Sequence, residues 1–160
     1  MIDTAAAVGR RWNAGVMSSV RTDWSTPRQL FEMLDREFHF TLDACATSKN
    51  LPRPGIEHID PSISNALIRP WVPLEQGAVW CNPPYGKELP WWIYKAHAEN
   101  AMHFLTVVML LPARTDTKWF HQYCLDRAEI RFLQGRLSFD DNRRKRAPFP
   151  SMLLIFRGRA

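Results

Sequence analysis

Asn82-Pro83-Pro84-Tyr85 sets a side-chain amide, two prolines and an aromatic ring in four consecutive residues. Such a set can activate an amine attached to an aromatic ring. The lone pair of that amine is delocalised into the ring, which makes its nitrogen a poor nucleophile. Two acceptors aimed at its hydrogens help the nitrogen become tetrahedral as it attacks an electrophilic methyl group. The side-chain oxygen of Asn82 supplies one acceptor and the Pro83 carbonyl the other. Consecutive prolines fix the direction of that carbonyl, a form of preorganisation that lowers barriers. Pro83 also keeps Asn82 extended. Tyr85 offers a face for stacking on a planar ring. If the methyl sits on a sulfonium, no strong general base is needed, because the leaving group drives the displacement. Two plainer readings are a rigid turn that ends a strand and a polyproline ligand for another domain. A strand directly upstream argues against the second, since such ligands are usually exposed.

The elements that must position these residues are readable from periodicity. Thr26 is a good helix N-cap and Pro27 fits the first helical position. Leu30, Phe31, Leu34 and Phe38 then give one apolar helical face. Residues 39–45 read as a short buried strand ending near Asp43. The stretch 47–77 is rich in Pro, Ser and Asn; Pro52, Pro54, Pro61, Pro70 and Pro73 leave room only for a short strand at 57–60. Residues 78–81 form a strand that runs straight into Asn82. A helix is expected over 89–100, an apolar β-branched strand over 106–111 ended by Pro112, a helix over 116–125, and strands over 129–133 and 152–156. Helices alternating with buried strands indicate an α/β fold with a mainly parallel sheet. The last two strands lack a crossover helix and are expected to pair antiparallel at one edge. In such sheets ligands sit at the carboxyl ends of the strands, where Asp43, Asn82 and Arg114 all fall.

Composition bounds the remaining possibilities. The 160 residues, 46% hydrophobic and 23% charged, suit one globular domain, taken as 21–160 after a small, polar leader at 1–20. No stretch approaches the roughly 20 apolar residues of a membrane helix. Cys45, Cys81 and Cys124 are odd in number and far apart, which speaks against a disulfide framework or a zinc site and for a reducing compartment. The formal net charge of +5 suits a polyanionic partner. Arg143-Arg144-Lys145-Arg146, with Arg136 nearby, is the strongest local cluster; it reads either as a solvated loop or as contacts to DNA phosphates.

The motif resembles the [Asp/Asn/Ser]-Pro-Pro-[Tyr/Phe/Trp] signature of amino methyltransferases that use S-adenosylmethionine. Five further runs extend the likeness: Asp23-Trp24-Ser25-Thr26-Pro27, Thr41-Leu42-Asp43-Ala44-Cys45-Ala46, Leu110-Leu111-Pro112-Ala113-Arg114-Thr115-Asp116, Gly135-Arg136-Leu137 and Ala147-Pro148-Phe149-Pro150-Ser151-Met152. Together they resemble the small phage-type DNA N-6-adenine-methyltransferase (Dam) family over about 23–156. The resemblance implies a Rossmann-like S-adenosylmethionine methyltransferase fold with an antiparallel pair at its C-terminal end. It implies double-stranded DNA as partner, no metal, and the bacterial cytoplasm as location for a phage or prophage protein. Asn82, Pro83, Pro84 and Tyr85 would be catalytic, with Tyr85 also stacking on the target adenine. Because that base cannot react inside a duplex, it would be flipped out. Thr26 and Pro27 would meet the donor's carboxylate at a helix N-terminus; Thr26 reads equally as a simple cap. Asp43 and Ala44 would lie near the donor's amino end, Asp60, with Glu57 as runner-up, would hold its ribose or face its adenine, and Asn82 would border it. Trp24 would pack on the donor or in the core. Arg114 would approach DNA or the target base, or else pair with Asp116. Arg136, Arg143, Arg144, Lys145 and Arg146 would contact phosphate.

The sequence departs from the wider methyltransferase pattern after Asp43. Ala44-Cys45-Ala46 stand where most members carry a Gly-rich loop; small residues still permit close approach. Alternatives are a methyltransferase acting on protein glutamine, one acting on cytosine N4, and a non-catalytic DNA-binding protein. The first normally keeps the Gly-rich loop and an extra helical domain; the second would be favoured by Ser in place of Asn82. Little chain remains for a separate recognition domain, so specificity must come from the loops after Leu111 and around 140–148.

Overall fold

The computed structural model describes residues 24–46, 50–60, 65–139 and 146–159. The expected leader at 1–20 and the cations Arg143, Arg144 and Lys145 lie outside the described residues. Strands β1 (Phe40–Asp43), β2 (Glu57–His58), β3 (Ala78–Cys81), β4 (Val107–Pro112), β5 (Glu129–Phe132) and β6 (Ser151–Phe156) form one sheet in the order β2-β1-β3-β4-β6-β5. The first four in that order are mutually parallel. β6 runs antiparallel to both β4 and β5. The expected antiparallel pair therefore exists, but β6 is inserted between β4 and β5, so five strands share one direction and β6 alone is reversed. Without a crossover helix between them, β5 and β6 can only return antiparallel.

Every residue of β3, β4 and β6 is buried, which explains why these segments read as continuous apolar runs instead of alternating ones. Helix α1 (Arg28–Phe38) buries Phe31, Leu34 and Phe38. Phe31 lies 5.3 Å from Phe40 of β1 and 5.8 Å from Trp80 of β3, ring centre to ring centre. Burial of one such ring stabilises by about 1.5–3 kcal/mol, and here it also fixes the start of α1 over the end of β3. Helix α2 (Leu89–His103) follows the Pro-Pro motif and buries Leu89, Trp92, Ile93 and Ala96. Its Glu99 is fully buried, accepts the Trp71 N–H at 2.9 Å and pairs with Lys95, so the Pro-rich connection is anchored by a polar contact.

Two expected elements differ. Helix α1 begins at Arg28, and Thr26 makes no side-chain cap bond. The Thr26 hydroxyl is taken instead by Trp80 and Asn82. The helix expected over 116–125 is shorter, helical over 118–124, and its last five residues, Phe120–Cys124, are π-helical and closed by Leu125 N–H on Phe120 O at 3.0 Å. Asp126 then takes a left-handed conformation (φ 58°), which prevents continuation.

Gly77 sets the spacing of β1 and β3. A Cβ there would fall 2.4 Å from the Thr41 methyl and 2.6 Å from the His39 carbonyl. Gly77→Ala must push β1 away from the strand that carries the motif. We expect a loss of about 1–3 kcal/mol of stability, the usual cost of overpacking, read from the urea midpoint. An unchanged midpoint would contradict this spacing role.

Candidate active site

β1, β3 and β4 are parallel neighbours, so their carboxyl ends open on one edge of the sheet. Asp43 is the last residue of β1, Asn82 follows β3, and Arg114 lies two residues beyond β4. The expected convergence of these three on one sheet edge is therefore present.

Asn82 is held on three sides. Its Nδ2 donates to the Trp24 carbonyl and, at 3.2 Å, to Thr26 Oγ1. Trp80 Nε1 donates to the same Thr26 oxygen at 3.2 Å. Trp80 is 0% exposed, so its indole N–H requires a protein partner. On the other side Tyr85 Oη lies 2.8 Å from Asn82 Oδ1 and 3.0 Å from the Leu110 carbonyl. Burial holds the Tyr85 phenol well above its ordinary pKa, so it stays a neutral donor. It has one proton for two acceptors. Asn82 Oδ1 thus keeps accepting capacity for a further N–H. Pro83 is buried beside it.

Tyr85 does not present an open stacking face. It is 4% exposed, with Phe149 at 5.5 Å and Phe139 at 6.3 Å, both edge-on. Trp24 completes a quartet, 4.9 Å from Phe139 and 5.6 Å from Phe149. Phe139 and Phe149 lie on the excursion between β5 and β6. Its base is pinned by Ala147 N–H on Leu137 O at 2.8 Å and by the Ser138–Arg146 bridge. Sequence reasoning gives these two rings no role, and it places Trp80 only as a strand residue. A signal is present: two phenylalanines inside a segment otherwise rich in charge are more apolar surface than a solvated loop exposes.

The other candidates are arranged as follows. Asp43 is buried, and burial pushes its carboxyl from 3.8 up to about 7, although the hydrogen bond from Cys45 N–H (2.9 Å) pulls it down. Ala44 and Ala46 are buried behind it. Burial, then the charges of Asp43 and Asp60, raise the Cys45 thiol to about 12, so both acids lie within electrostatic reach of Cys45. Glu57 instead receives the Leu74 N–H at 2.9 Å and serves the loop between β2 and β3. Arg114 is half-buried; no ion pair joins it to Asp116 among the described residues. Its carbonyl accepts the Thr117 hydroxyl at 2.7 Å, which fixes the turn after β4. Arg136 and Arg146 are exposed. No group of residues able to hold a metal ion occurs among the described residues.

A sequence profile of the DNA N-6-adenine-methyltransferase (Dam) family matches residues 13–159. The chain belongs to that family. It is 31% identical over 145 residues to a DNA N-6-adenine-methyltransferase of Haemophilus phage HP1 (strain HP1c1), covering 86% of this chain and 79% of the relative. It is 33% identical over 134 residues to one of Escherichia phage T1, covering 82% of this chain and 53% of the relative. No solved structure matches the chain. The matched range includes Asn82-Pro83-Pro84-Tyr85, whose Asn82 amide the structure holds on three sides. Among the described residues no helix is long and apolar enough to cross a membrane.

The buried acid at the end of β1 gives a pH signature. The folded protein retains the Asp43 proton up to about pH 7, whereas the unfolded chain releases it near 3.8. The stability this contributes is fully present below about pH 4, falls as pH rises to about 7, and is constant above. A tenfold difference in proton affinity between the folded and unfolded chain corresponds to about 1.4 kcal/mol. Asp43→Asn lacks this slope. The difference in melting temperature, variant minus wild type, is expected to grow between pH 4 and 7 and to level off thereafter. Parallel melting curves over that range would show that Asp43 titrates normally.

Proposed function

We propose that this Dam-family chain transfers a methyl group from S-adenosylmethionine to N6 of an adenine flipped out of double-stranded DNA, in a Rossmann-like methyltransferase fold. The observation that carries the reading is the Asn82 amide. Both of its N–H groups are engaged by the chain, and its oxygen retains capacity to accept from an incoming amine. Asn82 Oδ1 and the Pro83 carbonyl accept the two N6 hydrogens and draw the nitrogen lone pair out of conjugation. The gain is made as the nitrogen becomes tetrahedral, so it lowers the barrier more than it strengthens binding.

The residues at the sheet edge fit the donor. Asp43 is a buried carboxyl whose ionised form gains from a cationic neighbour such as an ammonium. Ala44 and Ala46 leave room for close approach, and Asp60, whose charge acts on Cys45, is the acid assigned to the ribose or adenine. When bound, S-adenosylmethionine supplies an electrophilic methyl on a sulfonium. Half-buried Trp24 offers a planar base the accessible ring beside Asn82, and buried Phe139 and Phe149 support that ring from within the fold. Arg114, Arg136 and Arg146, with Arg143, Arg144 and Lys145 of the same basic run, contact phosphates and position the duplex without reading its sequence.

Asn82→Ala tests the reading. Methyl transfer to duplex DNA is expected to fall by at least about 100-fold, the scale of removing one preorganised hydrogen-bond partner of a transition state. Calorimetry should show donor affinity changed little. Wild-type activity in the variant would refute the mechanism, and no heat of donor binding to folded wild type would refute the enzyme. Sequencing of methylated DNA identifies the base; cytosine N4 as the product would replace adenine as the substrate.

A further inference from the structure

Asn82 receives its orientation from outside its own strand. The Trp24 carbonyl accepts only, so Nδ2 must face it; the reversed amide would set oxygen against oxygen. The second N–H goes to Thr26 Oγ1. That hydroxyl is in turn fixed by Trp80 Nε1, from the buried centre of β3. A hydroxyl oxygen can accept two hydrogen bonds, and Thr26 accepts one from each of two side chains. Three groups therefore form a chain: core indole, threonine hydroxyl, and the Asn82 amide that carries the acceptor oxygen. The hydroxyl does not cap α1, which lacks a side-chain cap.

We propose that Thr26 is a positioning residue for methyl transfer, aiming Asn82 Oδ1 by holding the opposite side of its amide. This rests on Asn82 acting as the acceptor for the target amine. It assigns Thr26 a task different from meeting the donor's carboxylate. The hydroxyl's two accepting positions go to Trp80 and Asn82 while its own proton stays available to donate, so the two tasks are told apart by where the loss appears: in the chemical step for positioning, in donor Kd for carboxylate binding. Pro27 and the Trp24 carbonyl serve the same end, because they fix the path of the segment that carries Thr26.

The test compares Thr26→Val and Thr26→Ser in the full chain with duplex DNA and S-adenosylmethionine. Thr26→Val is expected to slow single-turnover methyl transfer by about 10- to 100-fold, the scale of misaiming a reacting group. Donor Kd and the KM for DNA should stay within about twofold. Thr26→Ser keeps the oxygen and should recover most of the rate. A readout independent of turnover is the Asn82 side-chain amide in NMR, assigned by its loss in Asn82→Ala. The proton directed at Thr26 should be protected from exchange in wild type and in Thr26→Ser and lose that protection in Thr26→Val, while the proton on the Trp24 carbonyl serves as the internal reference. If Thr26→Val does not fold, Thr26→Ala is read by the same measurements. A near wild-type rate in the valine or alanine variant overturns the proposal. So does weakened donor binding with an unchanged rate, or a serine variant as slow as the valine one. Absence of DNA methylation by the wild-type chain would instead defeat the function proposed above.

Discussion

A primary amide offers two donor hydrogens and one acceptor oxygen, and in Asn82 the hydrogens and the oxygen are assigned by different parts of the chain. The segment before α1 takes the hydrogens; the motif's own tyrosine shares the oxygen. This requires residues almost sixty positions apart to meet, so α1 must be seated before the site exists. Phe31 seats it, packed on Phe40 and Trp80. Trp80 serves twice, with its ring in the core and its N–H on Thr26. Core packing and site geometry are therefore not separable at this position.

The reversed strand β6 has a similar double effect. By entering between β4 and β5 it buries the site's supporting strand β4 on both edges. The connection from β5 to β6 is much longer than the tight hairpin that two neighbouring antiparallel strands need. That excursion brings Phe139 and Phe149 against Tyr85 and Trp24. The aromatic wall beside Asn82 is a product of strand order more than of the motif itself.

Much of this is legible in the sequence because burial on both faces leaves strong runs. The strand at 78–81, the strand beginning near Val107 and the helix after the motif all follow from apolar runs and proline placement. The convergence of Asp43, Asn82 and Arg114 follows from parallel strands having one carboxyl edge. Thr26 reads as a cap and is not one, since local helix statistics carry no information about a partner 54 residues away. The stretch 116–125 looks helical throughout because aromatic spacing does not distinguish a full helix from a shorter one that ends in a wide turn. Tyr85 looks open because its type suits stacking; its burial depends on two phenylalanines whose position only the sheet order determines. The Leu74 contact that occupies Glu57 is one that no local pattern encodes.

Arg136 lies three residues before Phe139, and Arg146 lies three residues before Phe149. Three residues span at most about 10 Å of extended chain, and the base of the excursion is tied at 137–147. Cations and rings therefore ride on one short lever. A load applied at the guanidinium groups has little slack in which to dissipate before it reaches the aromatic wall. The path from either guanidinium-bearing residue to the rings packed on Tyr85 and Trp24 is, in this fold, only three residues long.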